Sequence, residues 1–426
     1  MSGEGFSSII IGAFAGVPAY LNSYAAPAIV SGLIEQGLSS GGAMAFLVGG
    51  AISSEYRDLE RLAMRRALLL ATQGLYSTGE NPRVGACLIQ GQDIIAEGFH
   101  RAPGLPHAEI EAIRQAADAS LQGSTCVVTL EPCSHVGKTG PCVDALIQAG
   151  VSRVVAAMED PNPLVAGQGL ARLRKANIEV VVGLYEAEAR RLNPGFISRM
   201  TTERPYVWLK SAASLDGKTA MADGESQWIS GTEARREVQQ LRARCQALMT
   251  GIETVLKDDP RLTVRFEESE IRLPEGVEPL QPLRVILDTH GRLPETGALF
   301  DAEGPIVWVT GDDYSHPQYE SGRIERCVTP LVDERIDLRA VLLSLAERGV
   351  NEVLVEAGAT LGGSLINQGL VDQGVLYLAP KILGRSARSL YDVAPAQLAD
   401  APEVLIQEIR AVGDDLRMDW TLRTRA

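Results

Sequence analysis

From Ser54 onward the chain moves between two hydrophobic rhythms, one helical and one alternating. In EYRDLERLAMRRALLLATQG the apolar positions Leu59, Leu62, Ala63, Ala67 and Leu70 recur at helical spacing and the pattern closes at Gly74. VGACLIQ and DIIAEGFH read as a strand pair around the turn GQD. HAEIEAIRQAADAS is a second helix, TCVVTLEP a buried strand whose tip carries Cys133 into the next helix, and PCVDALIQAG a helix closed by Gly150. VSRVVAAME adds a strand, and LARLRKANIEVVVG one more helix and strand. Strands alternating with helices predict a three-layer α/β domain over residues 54–199, the regular alternation running to about residue 190. RLNPGFISRMTTERPY carries Pro and Gly and breaks the pattern, which predicts a domain boundary there. After it, YVWLKSAA, ALMTGIETV, LRVILD, IVWVT, EVLVEAG and GVLYLAP read as strands. EARREVQQLRARC, LRAVLLSLAERG and LGGSLINQG read as helices, giving a second α/β domain over 204–426.

The first 53 residues follow neither rhythm. Their only charges are Glu4 and Glu35, and no Lys or Arg precedes Arg57. A secretory signal needs a basic start, which is missing. A membrane span needs about 20 apolar residues, and here Pro18, Asn22, Pro27 and Glu35 cut the apolar runs. The segment loosely resembles a fragment of a permease with broken helices. It is expected to be an appended leader without membrane contact or a part in the chemistry. Composition changes the picture little: 22% charged and 45% apolar residues are ordinary for a globular chain. The net charge of −14 argues against a nucleic-acid-coating protein, though a phosphorylated small molecule needs only a local basic cluster. Six cysteines in 426 residues are no disulfide scaffold and fit a reducing cytoplasm.

The stretch TLEPCSHVGKTGPC, residues 129–142, carries the chemistry. A phosphate loop is excluded, because the glycine expected five positions before Gly137 is Pro132; the second GKT, at 217–219, has Ala212 in that place. A metal site fits better. PHAEIEA upstream supplies His107 and Glu109, and the zinc deaminase signature is H-x-E followed by P-C-x-x-C. His107, Cys133 and Cys142 would ligate zinc, with a fourth position open. Glu109 would be the proton shuttle rather than a ligand. His107 and Glu109 fall at the first turn of a helix opened by Pro106, so two helix starts would converge on the metal and favour the thiolates. One feature departs from the signature: eight residues, not two, separate the cysteines.

That spacing, together with NPRVGACLI, EDPNP, VAGQGL, SLDGKTA, GESQWIS and KDDPRLTVR, resembles the bifunctional deaminase/reductase family of riboflavin biosynthesis over residues 55–423. The resemblance implies a cytidine-deaminase-like domain followed by a dihydrofolate-reductase-like domain, with zinc and NADPH as cofactors. It implies hydrolytic deamination of 2,5-diamino-6-(5-phosphoribosylamino)pyrimidin-4(3H)-one, then reduction of the ribosyl group to a ribityl chain. Asn81, His100 and Lys138 would hold the deaminase substrate, with His135 a structural neighbour. Ala212, Trp228, Thr254, Asp258, Thr289, Gly358, Ala359, Thr360, Leu361, Gly362, Gly363 and Ser364 would line NADPH. Ser226, Arg242, Leu262, Arg265 and Glu356 would contact the second substrate, the two arginines gripping its phosphate. No Rossmann G-x-G-x-x-G is present, and the Gly-rich turn before LGGSLINQG offers helix-start amides to a phosphate instead. The rival is a nucleoside- or tRNA-type deaminase fused to an unrelated domain, which predicts P-C-x-x-C and, for tRNA, a basic surface. A homo-oligomer is compatible with the sequence and not specified by it.

Overall fold

The computed structural model describes residues 57–423 except 118, 135–139 and 164. The leader (1–53), His135 and Lys138 therefore lie outside the described residues.

The first half runs α1 (Asp58–Thr72), β1 (Gly85–Gln90), β2 (Asp93–Phe99), α2 (Ala108–Gln115), β3 (Thr125–Val128), α3 (Cys142–Gln148), β4 (Arg153–Ala156), α4 (Gln168–Lys175) and β5 (Glu179–Val182). Its sheet has the order β2-β1-β3-β4-β5, antiparallel on both sides of β1 and parallel from β3 to β5. Leu88, Cys126, Val128, Val154 and Ala156 from the sheet pack with Ala108, Ala112, Val143, Leu146, Leu170 and Leu173 from the helices. Gly98 lets α2 lie close on β2, since a Cβ there would stand 2.5 Å from the carbonyl oxygen of Ala108 and 2.6 Å from the amide nitrogen of Ala112.

The expected boundary segment is helical: α5 (Glu186–Leu192) and α6 (Pro194–Thr202). Asn193 joins them. Its side chain accepts from the Arg83 amide and donates back to the Arg83 carbonyl, while Pro194 starts α6 at a position where a missing N–H costs nothing. The Pro and Gly of the expected boundary thus open a helix.

The second half contains β6 (Tyr206–Ser214), β7 (Lys218–Ala220), α7 (Thr232–Arg244), β8 (Ala247–Gly251), α8 (Ile252–Asp258), β9 (Leu283–Leu287), α9 (Ala298–Asp301), β10 (Ile306–Thr310), α10 (Pro317–Glu320) and β11 (Glu325–Val328). Then follow β12 (Leu331–Val332), β13 (Arg335–Ile336), α11 (Leu338–Glu347), β14 (Glu352–Glu356), α12 (Ala359–Asn367), β15 (Gln373–Ala379), β16 (Arg388–Ser389), β17 (Val404–Val412) and β18 (Asp415–Leu422). Nine strands form one sheet in the order β11-β10-β9-β8-β14-β6-β15-β18-β17, parallel from β11 to β15 and antiparallel beyond. Alternation divides each central strand between two cores. Val207, Leu209, Val307, Val309, Val353 and Val355 face one, and Trp208, Trp308 and Leu354 face the other. ALMTGIETV is not one strand: it changes at Gly251 from β8 into α8.

A buried ion cluster ties the halves together at the start of β14. Glu352, 1% exposed, accepts from Arg83 (2.7 Å), Arg244 (2.7 Å) and Trp208 Nε1 (2.9 Å). Beside it, Asn351 Nδ2 donates to the carbonyls of Gly79 (3.2 Å) and Glu80 (3.0 Å). Burial alone would raise Glu352, but Arg244 and Arg83 hold it down at about 2. Among the described residues no helix is long and apolar enough to cross a membrane.

Candidate functional site

His107 is the N-cap residue of α2, and Glu109 lies in its first turn. Cys142 is the first residue of α3, after Pro141. The sequence reading started a helix at Cys133; the structure instead leaves Cys133 in irregular chain after β3, and Pro141, with φ fixed near the helical value, sets the start. The Cys142 amide still donates to Cys133 Sγ at 3.3 Å, so one helix start does face the thiol. His107 Nδ1 lies 3.3 Å from Cys142 Sγ and 3.5 Å from Cys133 Sγ, and the three ligand atoms are all within 4.8 Å of one another. Around tetrahedral zinc, with Zn–N about 2.0 Å and Zn–S about 2.3 Å, an N···S separation of roughly 3.5 Å follows. The described residues therefore fit zinc in both donor type and spacing, with a fourth position left open.

The charges fit the same use. Hydrogen bonding from Cys142 outweighs burial and, with His107, pulls Cys133 down to about 4, while Cys142 is driven up by its bond to Cys133 and by burial. Glu109 is 3% exposed; burial and then Cys133 push it up to about 7, against the pull of His107. A carboxyl titrating near neutrality suits a proton shuttle.

A cavity of about 410 Å³ opens beside this cluster, bordered by Asn81, His100, His107, Glu109 and Cys133 and on another side by Phe196, Arg199 and Met200 of α6. Asn81 Nδ2 lies 2.9 Å from His100 Nε2, and His100 Nδ1 lies 3.1 Å from the Pro106 carbonyl. The network assigns the proton to Nδ1, which donates to the carbonyl, and leaves Nε2 to accept from the amide. Burial pushes the His100 pKa down, in keeping with a neutral ring.

The second half carries a larger cleft, about 2260 Å³, outside the carboxyl ends of β8, β9 and β14. Ala212, Trp228, Thr254, Asp258, Thr289, Gly358, Ala359, Thr360, Leu361 and Ser364 border it, as do Ser226, Arg242, Leu262, Arg265 and Glu356. Gly362 and Gly363 do not: they are buried in α12, where a Cβ on Gly363 would stand 2.3 Å from the Asp392 carbonyl oxygen. Gly358 is the extended N-cap of α12 and leaves its first amides free of any side-chain cap. Trp228 is 60% exposed, under the guanidinium of Arg235 at 4.9 Å, and so is no packing residue behind the sheet. Arg242 is no loose helix charge either: Nε and Nη2 bind Glu356 at 2.5 and 3.0 Å, and Nη1 binds the Thr263 carbonyl at 2.9 Å. With Arg242 so engaged, Arg265, ion-paired among the described residues with exposed Glu268, is the freer of these two arginines.

Two models of known families match, the cytidine and deoxycytidylate deaminase zinc-binding region over residues 57–158 and the RibD C-terminal domain over 205–417. The riboflavin biosynthesis protein RibD of Escherichia coli K12 is 45% identical over 361 residues, covering 83% of this chain and 96% of the relative. This chain belongs to the RibD family. The RibD of Haemophilus influenzae is 44% identical, covering 86% of this chain and 98% of its own. Among solved structures, Acinetobacter baumannii RibD superposes with a TM-score of 0.79 at 40% identity, covering 86% of this chain and 99% of that one. A Thermotoga maritima diaminohydroxyphosphoribosylaminopyrimidine deaminase/5-amino-6-(5-phosphoribosylamino)uracil reductase does so at 0.76 and 32%. The RibD relatives span both halves in one chain, so a deaminase fused to an unrelated domain is not the better reading.

Three residues at these sites went unread in the sequence. Lys210, on β6, lines the larger cleft; burial pushes its pKa down, against Glu356 and with Arg242. Glu131 borders the smaller cavity and accepts four backbone N–H bonds, from Asp160, Gly167, Gly169 and Leu170. Arg199 is the third. Only SLDGKTA-like strings flanking β6 hinted at a site there, and nothing local marks Glu131 or Arg199.

Proposed function

We propose that residues 54–199 form the deaminase and 204–426 the reductase of a two-step riboflavin-pathway enzyme, with residues 1–53 outside both activities. The chain is a bifunctional enzyme, a zinc-dependent pyrimidine deaminase and an NADPH-dependent reductase. Its first substrate is 2,5-diamino-6-(5-phosphoribosylamino)pyrimidin-4(3H)-one and its final product 5-amino-6-(5-phosphoribitylamino)uracil, as the printed activity of the Thermotoga relative supports.

The observation that carries this reading is the His107–Cys133–Cys142 cluster with buried Glu109 beside it at one cavity. When bound, zinc supplies a Lewis acid that brings the pKa of water towards 7. His107, Cys133 and Cys142 are its ligands. Glu109 takes the proton released as water adds to the ring carbon, and returns it to the amine, which leaves as ammonia. Asn81 and neutral His100 orient the pyrimidine, joined by Lys138.

In the larger cleft, NADPH when bound supplies the hydride. The free amides at the start of α12, a nine-residue helix, suit a cofactor phosphate. The other lining residues named above position the nicotinamide and the ribosyl carbon. Glu356, held at about 2 by Arg242 despite its burial, stays ionised beside Lys210. Lys210 is thereby placed to hold the proton that accompanies hydride transfer. Arg265 meets the substrate phosphate.

Mass spectrometry of purified chain incubated with the pyrimidinone phosphate tests the reading. Exchange of an amino group for oxygen is expected without NADPH, and gain of two further hydrogens with it. Reduction without prior deamination, or neither change, would remove the two-step assignment.

A further inference from the structure

The deaminase substrate carries a phosphate of nearly two negative charges at neutral pH, and the smaller cavity must accommodate it. Among the described residues bordering that cavity, Arg199 is the only Lys or Arg. The acidic side chains bordering the cavity include Glu80, Glu109, Asp160 and Glu131, the last saturated by four backbone amides.

Arg199 is held, but not neutralised. Nε donates to Asn351 Oδ1 at 2.7 Å and Nη2 to the Glu80 carbonyl at 3.1 Å. No carboxylate lies within ion-pair distance of it among the described residues, and Nη1 has no hydrogen-bond partner there. Burial works against its charge, with Glu80 only partly offsetting. The guanidinium is thus oriented by two neutral acceptors and keeps its full charge for a ligand. This contrasts with other arginines near the cavities: Arg83 and Arg244 are paired with Glu352, and Arg242 with Glu356. The orienting acceptor comes from the other half of the chain. Asn351 immediately precedes β14, and its Nδ2 also binds the Gly79 and Glu80 carbonyls, next to Asn81.

We infer that Arg199 binds the 5'-phosphate of the deaminase substrate, and that Asn351 is its positioning residue, supplied to the deaminase pocket by the reductase half. The inference rests on the deaminase reading above. It makes Arg199 a selector for phosphorylated over unphosphorylated pyrimidine, because an oriented guanidinium gives a phosphate two charge-assisted bonds and a bare ribose hydroxyl far less.

The test compares kcat/KM for deamination of the phosphorylated substrate and of its dephosphorylated form, using the full chain loaded with zinc. Arg199→Ala is expected to lose roughly ten- to hundredfold on the phosphorylated compound and to change little on the dephosphorylated one, mainly through KM. Arg199→Lys should recover part of that selectivity, and Asn351→Ala should fall between wild type and Arg199→Ala. Zinc content and NADPH-dependent reduction of supplied deaminated intermediate should be unchanged in Arg199→Ala, which shows that the chain is folded. An equal loss on both compounds, or none on either, would overturn the inference while leaving the deaminase reading intact. A wild-type chain that deaminates neither compound would overturn both.

Discussion

The proposed mechanism gives Glu109 and Cys133 separable jobs, and one substitution at each tells them apart. Cys133→Ser removes a ligand, so zinc and deamination should be lost together; metal analysis of the purified variant checks this, and full occupancy would show the ligand set is wrong. Glu109→Gln keeps the shape of the buried carboxyl and removes the proton carrier. Zinc and fold should persist while deamination falls by roughly 10²–10⁴-fold, and reduction of supplied intermediate should continue. These residues were legible because the chemistry dictates their types and order, although the helix expected at Cys133 begins only at Cys142. Arg199, Lys210 and Glu131 were not. A single Arg on an amphipathic helix or Lys in a strand reads as a solvated charge, and only the packed chain shows that one faces a cavity with no described carboxylate in ion-pair range and another lies between Glu356 and Arg242. Arg242 shows a different gap: its type suggested phosphate, and its ion pair with Glu356 could not be read from the sequence.

Among the elements, α2 is capped by His107 and carries Glu109 in its first turn, so its seat on β2 sets where the proposed histidine ligand and proton shuttle stand. That seat depends on Gly98, over which backbone atoms of Ala108 and Ala112 pass at a distance no Cβ tolerates. Gly98→Ala should therefore push the helix off the strand. Zinc affinity and deamination should both drop while NADPH-dependent reduction survives; metal titration alongside the two assays checks this, and unchanged zinc affinity would show that α2 has room to yield. Alternation and helical spacing gave nearly every strand and helix of the first half. They missed where an element changes type within one apolar run, as at Gly251 between β8 and α8, and they missed β17 and β18. VLIQEIRAV is exposed along most of its length at the sheet edge, so burial imposes no clean alternation on it. RLNPGFISRMTTERPY did not show its helices for a different reason: Pro is as good a helix opener as a breaker, and the choice is made by Asn193 binding Arg83 far away in the sequence.

At the scale of the whole molecule the Glu352 cluster is a stability term with a defined pH range. The folded pKa of Glu352, about 2, lies below its ordinary 4.5, so the folded state binds its proton less readily than the unfolded chain does. Its contribution is fully present above about pH 4.5 and is lost as the pH falls towards 2. For a fully buried group the shift corresponds to on the order of 3 kcal/mol. Urea midpoints measured between pH 7 and pH 3 should fall with acid, and Glu352→Gln should flatten that fall; an unchanged slope would show that the cluster does not govern acid sensitivity. The position of the cluster has another consequence. β14 is five residues long, about 13 Å from Glu352 to Glu356. At its start, Asn351 and Glu352 hold the loop and helix that wall the first cavity, and at its end Glu356 faces the second cleft. The halves are therefore not interchangeable parts. A hybrid joining this chain's deaminase to another relative's reductase inherits working chemistry on each side only if the graft carries matching partners for Arg83 and Arg199, so compatibility between donor and recipient is decided by the two residues at the head of one short strand.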